Sequence, residues 1–182
     1  MARTRNLSVL MSLHELDLAG RISDKIACVR GDRIDRFGTP EEIFTEGYIP
    51  KLYQMTTGYY DELTGNLELP KAEGAPQILV IAGNGTGTGV FRRLQREGIP
   101  FAAGILWEND PDYSCARALA AEVVSVKAFR RISSRETERM RQLIDGCERV
   151  VCTLSSEDMT DLAKDLGELY AYARAQGKLI EY

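Results

Sequence analysis

At 182 residues the chain makes one domain of ordinary size or two small ones, which excludes a large multidomain enzyme. Lys and Arg number 23 against 27 Asp and Glu, a formal net charge of −4, so the chain as a whole offers no attraction to nucleic acid or anionic lipid. A composition of 44% hydrophobic and 27% charged residues supports a buried core and excludes disorder.

The first residues, Met1 to Ser8, carry two arginines, but the apolar stretch after them is soon broken by His14, Glu15 and Asp17, so no secretory signal is read. Val9 to Leu13 reads as a short buried strand, Glu15 to Ile22 as a helix and Lys25 to Val29 as a second strand. Gly31-Asp32 then turns the chain into Arg33 to Gly38, a β-hairpin. Thr39-Pro40-Glu41-Glu42 has a capping residue, a proline at the first helical position and a glutamate at the third, so a helix starts there and carries Ile43 and Phe44 inward. Residues 48–69 mix aromatics with the turn signal Thr64-Gly65-Asn66, and a short helix followed by a hairpin is expected.

Leu69 to Pro76 holds two prolines, a glycine and no apolar periodicity, which marks 70–76 as a linker between segments 1–69 and 77–182. Beyond it the pattern is regular. Strands are expected at Gln77 to Ala82, Pro100 to Trp107, Val123 to Val126, Arg149 to Leu154 and Lys178 to Glu181. Helices are expected at Gly89 to Glu97, Tyr113 to Ala121, Ser134 to Asp145 and Glu157 to Ala175. Such alternation implies a parallel sheet with helices on both faces. The fold class is therefore α/β, a five-stranded parallel Rossmann-like domain preceded by a small α+β segment with a β-hairpin. The longest apolar runs, such as Ile78 to Ala82, are far below the ~20 residues of a membrane-spanning helix, and no membrane insertion is expected. Cys28, Cys115, Cys147 and Cys152 form no CxxC pair, so reduced thiols in a cytosolic protein are expected. With His14 the single histidine, no metal site is expected.

Gly83-Asn84-Gly85-Thr86-Gly87-Thr88-Gly89 lies between the first strand and first helix of the parallel segment. Glycines let backbone N–H groups approach a ligand, and the helix N-terminus favours an anion. The run departs from GxGxxG at Thr88, and the phosphate-loop pattern GxxxxGK[ST] is absent. A tight structural turn is the alternative, and Val at Gly85 or Gly87 is expected to block a ligand while sparing the core, unless the glycine has a positive φ. Glu108-Asn109-Asp110-Pro111-Asp112 follows the second strand and should face the glycine turn. Glu108 stands roughly where an acidic residue would hold a ribose 2′-OH. Carboxylates at 108, 110 and 112 suit a cation or a ligand hydroxyl, although Asp112 reads better as a helix cap. Ser155 follows the fourth strand on the same edge, with Ser156 a cap and Asp158 in the first turn of the next helix.

The run Val9-Leu10-Met11-Ser12-Leu13-His14-Glu15-Leu16-Asp17-Leu18-Ala19, followed by Ser23-Asp24-Lys25-Ile26, Gly31-Asp32-Arg33-Ile34 and Gly38-Thr39-Pro40-Glu41-Glu42-Ile43-Phe44, resembles the C-terminal end of an ATP-binding cassette (ABC) transporter ATPase. It looks most like the subgroup for iron–siderophore, haem and cobalamin uptake, with Asp17 where Asn is usual and Glu15 where Asp is usual. The resemblance implies that His14 is the switch histidine that contacts the γ-phosphate of ATP. Walker A, the signature motif and Walker B are absent from these residues, so His14 is an orphan and no autonomous ATP hydrolysis is expected; ATP and Mg²⁺ belong to the intact family ATPase. Residues 83–89, 109–112 and Ala116 to Leu119 are similar, more weakly, to C-terminal extensions of some such ATPases, which implies a regulatory, ligand-sensing domain.

The expected partner is then the membrane permease of an importer, with the chain cytoplasmic and peripheral to the inner face of the membrane; a homodimer is left open and nucleic acid is not expected. The competing readings are a stand-alone nucleotide- or metabolite-binding module, and an enzyme acting on a nucleotide or nucleoside through Glu108, Asp110 or Asp112.

Overall fold

The structure is a computed structural model and describes residues 7–61, 66–155, 159 and 164–180. Its contacts divide the chain into two compact units, Met1–Thr56 with Tyr60–Leu67, and Thr57–Tyr59 with Glu68–Tyr182.

The first unit begins with α1 (Leu16–Ile22), then the strands β1 (Ile26–Arg30) and β2 (Arg33–Gly38), which pair antiparallel. Gly31 turns the hairpin at φ +65, a conformation that L side chains reach only with strain. The helices α2 (Pro40–Ile43) and α3 (Tyr48–Leu52) follow, then the short pair β3 (Tyr59–Asp61) and β4 (Asn66–Glu68), of which Tyr59 and Glu68 count with the second unit. The capping box read from Thr39 to Glu42 is present: Thr39 N–H donates to Glu42 Oε2 at 2.8 Å and Glu42 N–H to Thr39 Oγ1 at 3.4 Å. Cys28, Ile43, Tyr48, Ile49 and Tyr60 form the small core. The Tyr48 hydroxyl donates to Asp35 at 2.9 Å, and the Arg36 guanidinium lies 3.7 Å from the centre of its ring. Residues 64 and 65 of the expected turn lie outside the described residues.

The expected strand at Val9 to Leu13 is not formed. Residues 7–15 carry no regular structure, and Leu10 is 99% exposed. A strand needs a neighbour for its N–H and C=O groups, and among the described residues none pairs with this segment. An apolar run supplies the side chains of a buried strand without supplying its ladder.

The second unit alternates β5 (Ile78–Ile81), α4 (Thr88–Arg96), β6 (Phe101–Trp107), α5 (Pro111–Leu119), β7 (Glu122–Val126), α6 (Ser134–Gly146), β8 (Arg149–Cys152), α7 (Lys164–Ala175) and β9 (Leu179–Ile180). All pairings are parallel and the strand order is β7-β6-β5-β8-β9. Side chains alternate across the sheet. Ile78, Val80 and Ala82 face Phe91 and Leu94 of α4 and Ala116 and Leu119 of α5. Leu79 and Ile81 face Met140 and Ile144 of α6 and Leu166 and Leu169 of α7. Helices therefore cover both faces, as in a doubly wound α/β sheet. The expected helix start at Glu157, with Ser156 and Asp158, and the strand end at Glu181 lie outside the described residues. Residues 70–76 form no regular element and belong to the second unit, where Gln95 Nε2 donates to the Pro70 carbonyl at 3.0 Å and the Cys147 thiol to that of Pro76 at 3.4 Å.

Lys178 closes the C-terminal end of α6. Its ammonium donates to the carbonyls of Ile144 and Asp145 at 2.8 Å each and of Cys147 at 2.9 Å. A cation here satisfies orphan carbonyls and meets the negative end of the helix dipole. Lys178→Met should cost about 2 kcal/mol, measured as a drop in the urea midpoint with an unchanged slope.

Candidate functional site

In this strand order β5 sits between β6 and β8. The crossovers through α4 and α5 leave on one face and those through α6 and α7 on the other. A doubly wound sheet opens a crevice at such a point, beyond the carboxyl ends of the strands. Here the crevice lies between the glycine loop after β5 and the segment Thr153 to Ser155 after β8. Thr86 Oγ1 donates to the Gly83 carbonyl at 2.7 Å and lies 2.6 Å from Thr153 Oγ1. A hydroxyl has one proton, so with that of Thr86 committed to Gly83 the bond between the threonines is donated by Thr153. Asn84 at φ +55 and Gly85 at φ +79 give the loop its reversal, and Asn is among the few residues with a side chain that tolerate such a conformation.

The carboxylate loop after β6 meets the glycine loop directly. Asp110 caps α5, accepting from Asp112 N–H at 2.9 Å, and its second oxygen accepts from Asn84 N–H at 2.8 Å. Asp112 is fully buried and accepts from Gly87 N–H at 2.9 Å, Thr88 N–H at 2.8 Å and the Thr88 hydroxyl at 2.8 Å. The two loops thus face each other as the sequence implies, but the capping is crossed. Helix α5 starts at Pro111, ahead of the expected Tyr113, with Asp110 as its cap, and Asp112 caps α4 in place of α5. An N-terminus that would otherwise attract a ligand anion is neutralised from within, and a phosphate entering the loop would have to displace a buried carboxylate. Glu108 and Asn109 are exposed at the rim, as is Ser155, and the Glu108 N–H is held by the Val126 carbonyl at 2.9 Å.

The expectation that Val spares the core is overturned at Gly87, while Gly85 is the positive-φ case that the expectation set aside. A Cβ at Gly87 would stand 2.6 Å from Ala82 Cβ and 2.6 Å from Phe91 Cζ, while Gly85 has a positive φ. Gly87 is glycine because the turn is pressed onto the core, whatever else the loop binds.

Sequence reasoning missed two features. Thr153 bridges to the glycine loop, and its one signal was its place directly after the fourth strand. Glu68 is buried in a bidentate pair with Arg92 of α4, Arg92 Nε lying 3.1 and 3.2 Å from its two oxygens. Burial beside that carboxylate pushes the Cys115 thiol up to about 12, which leaves it protonated and unreactive at neutral pH.

His14 is exposed in the first unit, just before α1. His14→Ala should therefore leave the melting temperature within about 1 °C, a differential scanning measurement; a large loss would reveal a buried structural role. No group of three or more His, Cys, Asp or Glu suited to a metal ion is found among the described residues, and no helix among them is long and apolar enough to cross a membrane.

The MJ0874 family matches residues 101–180, from the start of β6 to the end of β9. An uncharacterized ABC transporter ATP-binding protein, MJ0873 of Methanocaldococcus jannaschii, is 32% identical over 107 residues, 58% of this chain and 37% of that protein. The cobalamin import ATP-binding protein BtuD of Halobacterium salinarum is 28% identical over 139 residues, 72% of this chain and 35% of that protein. The hypophosphite import ATP-binding protein HtxD of Stutzerimonas stutzeri is 43% identical over 53 residues, 29% of this chain and 15% of that protein. No solved structure gives a significant match. The chain spans little more than a third of the first two relatives, at 37% and 35%. Over part of its length, this chain is a homologue of the ATP-binding proteins of ABC transporters.

Proposed function

We propose that the chain is the C-terminal part of an ABC importer's ATP-binding protein, of the cobalamin or iron-complex type, and that its second unit is a ligand-sensing domain regulating transport. The observation that carries this reading is the match to the cobalamin import protein. At 72% of this chain it is longer than either compact unit, so parts of both units occur together in a transport ATPase. In that setting His14 is the switch histidine, the partner is the permease, and the protein works at the cytoplasmic face of the membrane. The residues present do not fit ATP and Mg²⁺ by themselves. The glycine loop has no following lysine, and the amides of Gly87 and Thr88 are taken by Asp112.

The same geometry supports an uncharged ligand for the crevice. With Asp110 and Asp112 bonded to the loop amides and Glu108 exposed at the rim, an anion gains little, whereas a neutral ligand rich in amide and hydroxyl groups can donate to the hydroxyl oxygens of Thr86 and Thr153 and meet the exposed Asn84. A corrinoid, with its rim of carboxamides, has that chemistry. A ligand that binds one conformation of a transporter better than another shifts its equilibrium by its differential affinity. The test is a thermal-shift and calorimetric comparison of cobalamin, haem, a ferric chelate and ATP. Cobalamin should stabilise the chain and Thr153→Val should weaken that response, while ATP should be silent. Stabilisation by ATP alone, or by none of the four, would sink the reading.

A further inference from the structure

The loop between β7 and α6 combines features that the crevice does not use. Lys127 to Arg130 form a tight turn, closed by Arg130 N–H donating to the Lys127 carbonyl at 3.0 Å, with Phe129 at φ +62. The turn is anchored, because Trp107 Nε1 at the end of β6 donates to the Arg130 carbonyl at 2.8 Å. Phe129 is 97% exposed. Lys127, Arg130 and Arg131 are exposed beside it and form no ion pair among the described residues. Arg135, in the first turn of α6, adds a fourth cation, next to Glu136.

Each of these features costs stability. A bulky aromatic residue is strained at a positive φ, a ring in water forgoes its burial, and clustered cations repel. The described residues return little for the ring, which is left almost wholly in water. Although the chain has a net charge of −4, charges act within a Debye length of about 10 Å, and here Lys127, Arg130, Arg131 and Arg135 stand against the carboxylates of Glu136 and of Glu108, whose N–H is bonded to the Val126 carbonyl, so the local balance is positive. A fully exposed ring flanked along the chain by cations is not enclosed as a small-ligand site would be, but it matches a soft surface with anionic groups outside and hydrocarbon beneath.

We propose that the Lys127–Arg131 turn is a membrane-surface contact in which Phe129 enters the headgroup region of a bilayer while Lys127, Arg130, Arg131 and Arg135 pair with anionic lipid headgroups. This assignment is independent of the ligand in the crevice. It is tested on the full chain by sedimentation with vesicles of phosphatidylcholine, with and without phosphatidylserine, at low and high salt. The chain should bind the phosphatidylserine vesicles and not the neutral ones, and salt should release it. Arg130→Gln and Arg131→Gln should each weaken binding about fivefold, the share of one cation near an anionic surface. Phe129→Gly should weaken binding severalfold while melting at or above the parent temperature, because glycine relieves the positive φ. In Phe129→Trp the added indole emission should shift to the blue on mixing with phosphatidylserine vesicles, the parent with Trp107 serving as the blank. No binding to anionic vesicles, or no blue shift, would overturn the proposal. So would binding that responds to the arginine changes and ignores Phe129→Gly, because the turn would then be a plain cation patch.

Discussion

Asp112→Ala should lower stability by about 3 kcal/mol. The carboxylate is fully buried and is the shared acceptor for two backbone amides and one hydroxyl at the start of α4. Its removal strips the cap from a helix whose own N-cap residue, Gly87, has no side chain to serve, and leaves three donors without their acceptor around a buried position. At a few degrees per kcal/mol for a unit of this size, the melting temperature should fall by roughly 10–20 °C. Asp112→Asn should lose about half as much, because one carbonyl oxygen survives while the amide's own N–H groups face donors. Calorimetric melts of the three proteins decide this. An Ala variant that melts within about 2 °C of the parent would show that the glycine loop holds its shape without the carboxylate.

A comparable loss is expected from Gly87→Val, at about 2–4 kcal/mol. The clash has no easy relief, since Ala82 Cβ is fixed to the backbone directly after the central strand β5 and Phe91 is fully buried, stacked on Phe101 with ring centres 5.3 Å apart. The control lies two residues further on. At Gly89 a Cβ would meet nothing within 4 Å, so Gly89→Ala inside α4 should be neutral or should stabilise by about 0.5–1 kcal/mol. Urea midpoints of the two variants should move in opposite directions or differ severalfold in size. Equal responses would mean that the loop does not press on the core as described.

The parallel sheet was legible because its strands are short apolar runs separated by helix-length amphipathic segments, and the hairpin and capping box because Gly31 and Thr39 to Glu42 act within a few residues. Strand order was not legible, since it depends on which face each crossover takes. Pro111 is itself a helix-start signal, and the expected start at Tyr113 passed it over. The expected strand at Val9 to Leu13 failed because apolar composition says nothing about whether a neighbour is present. The crossed capping escaped for a related reason. Local rules assign Asp112 to the helix it sits in, while its partners Gly87 and Thr88 lie 25 and 24 residues earlier, a separation at which sequence carries no capping signal. Thr153 and the Glu68–Arg92 pair belong to the same class of contact, made by the fold and unmarked in the chain.

Thiol burial gives each compact unit its own clock. Cys28 lies in the core of the first unit at 8% exposure, and Cys115 and Cys147 lie in the second at 7% and 2%. Burial raises the thiols of Cys115 and Cys147 above their ordinary range, so an alkylating reagent must wait for local opening before it meets a thiolate. Labelling of Cys28 against time therefore reads the opening of the first unit, and labelling of Cys115 and Cys147 that of the second. Mass spectrometry of the tagged peptides separates the two rates within a single unmodified protein, and a ligand that tightens the second unit should slow one set of tags while leaving the other untouched.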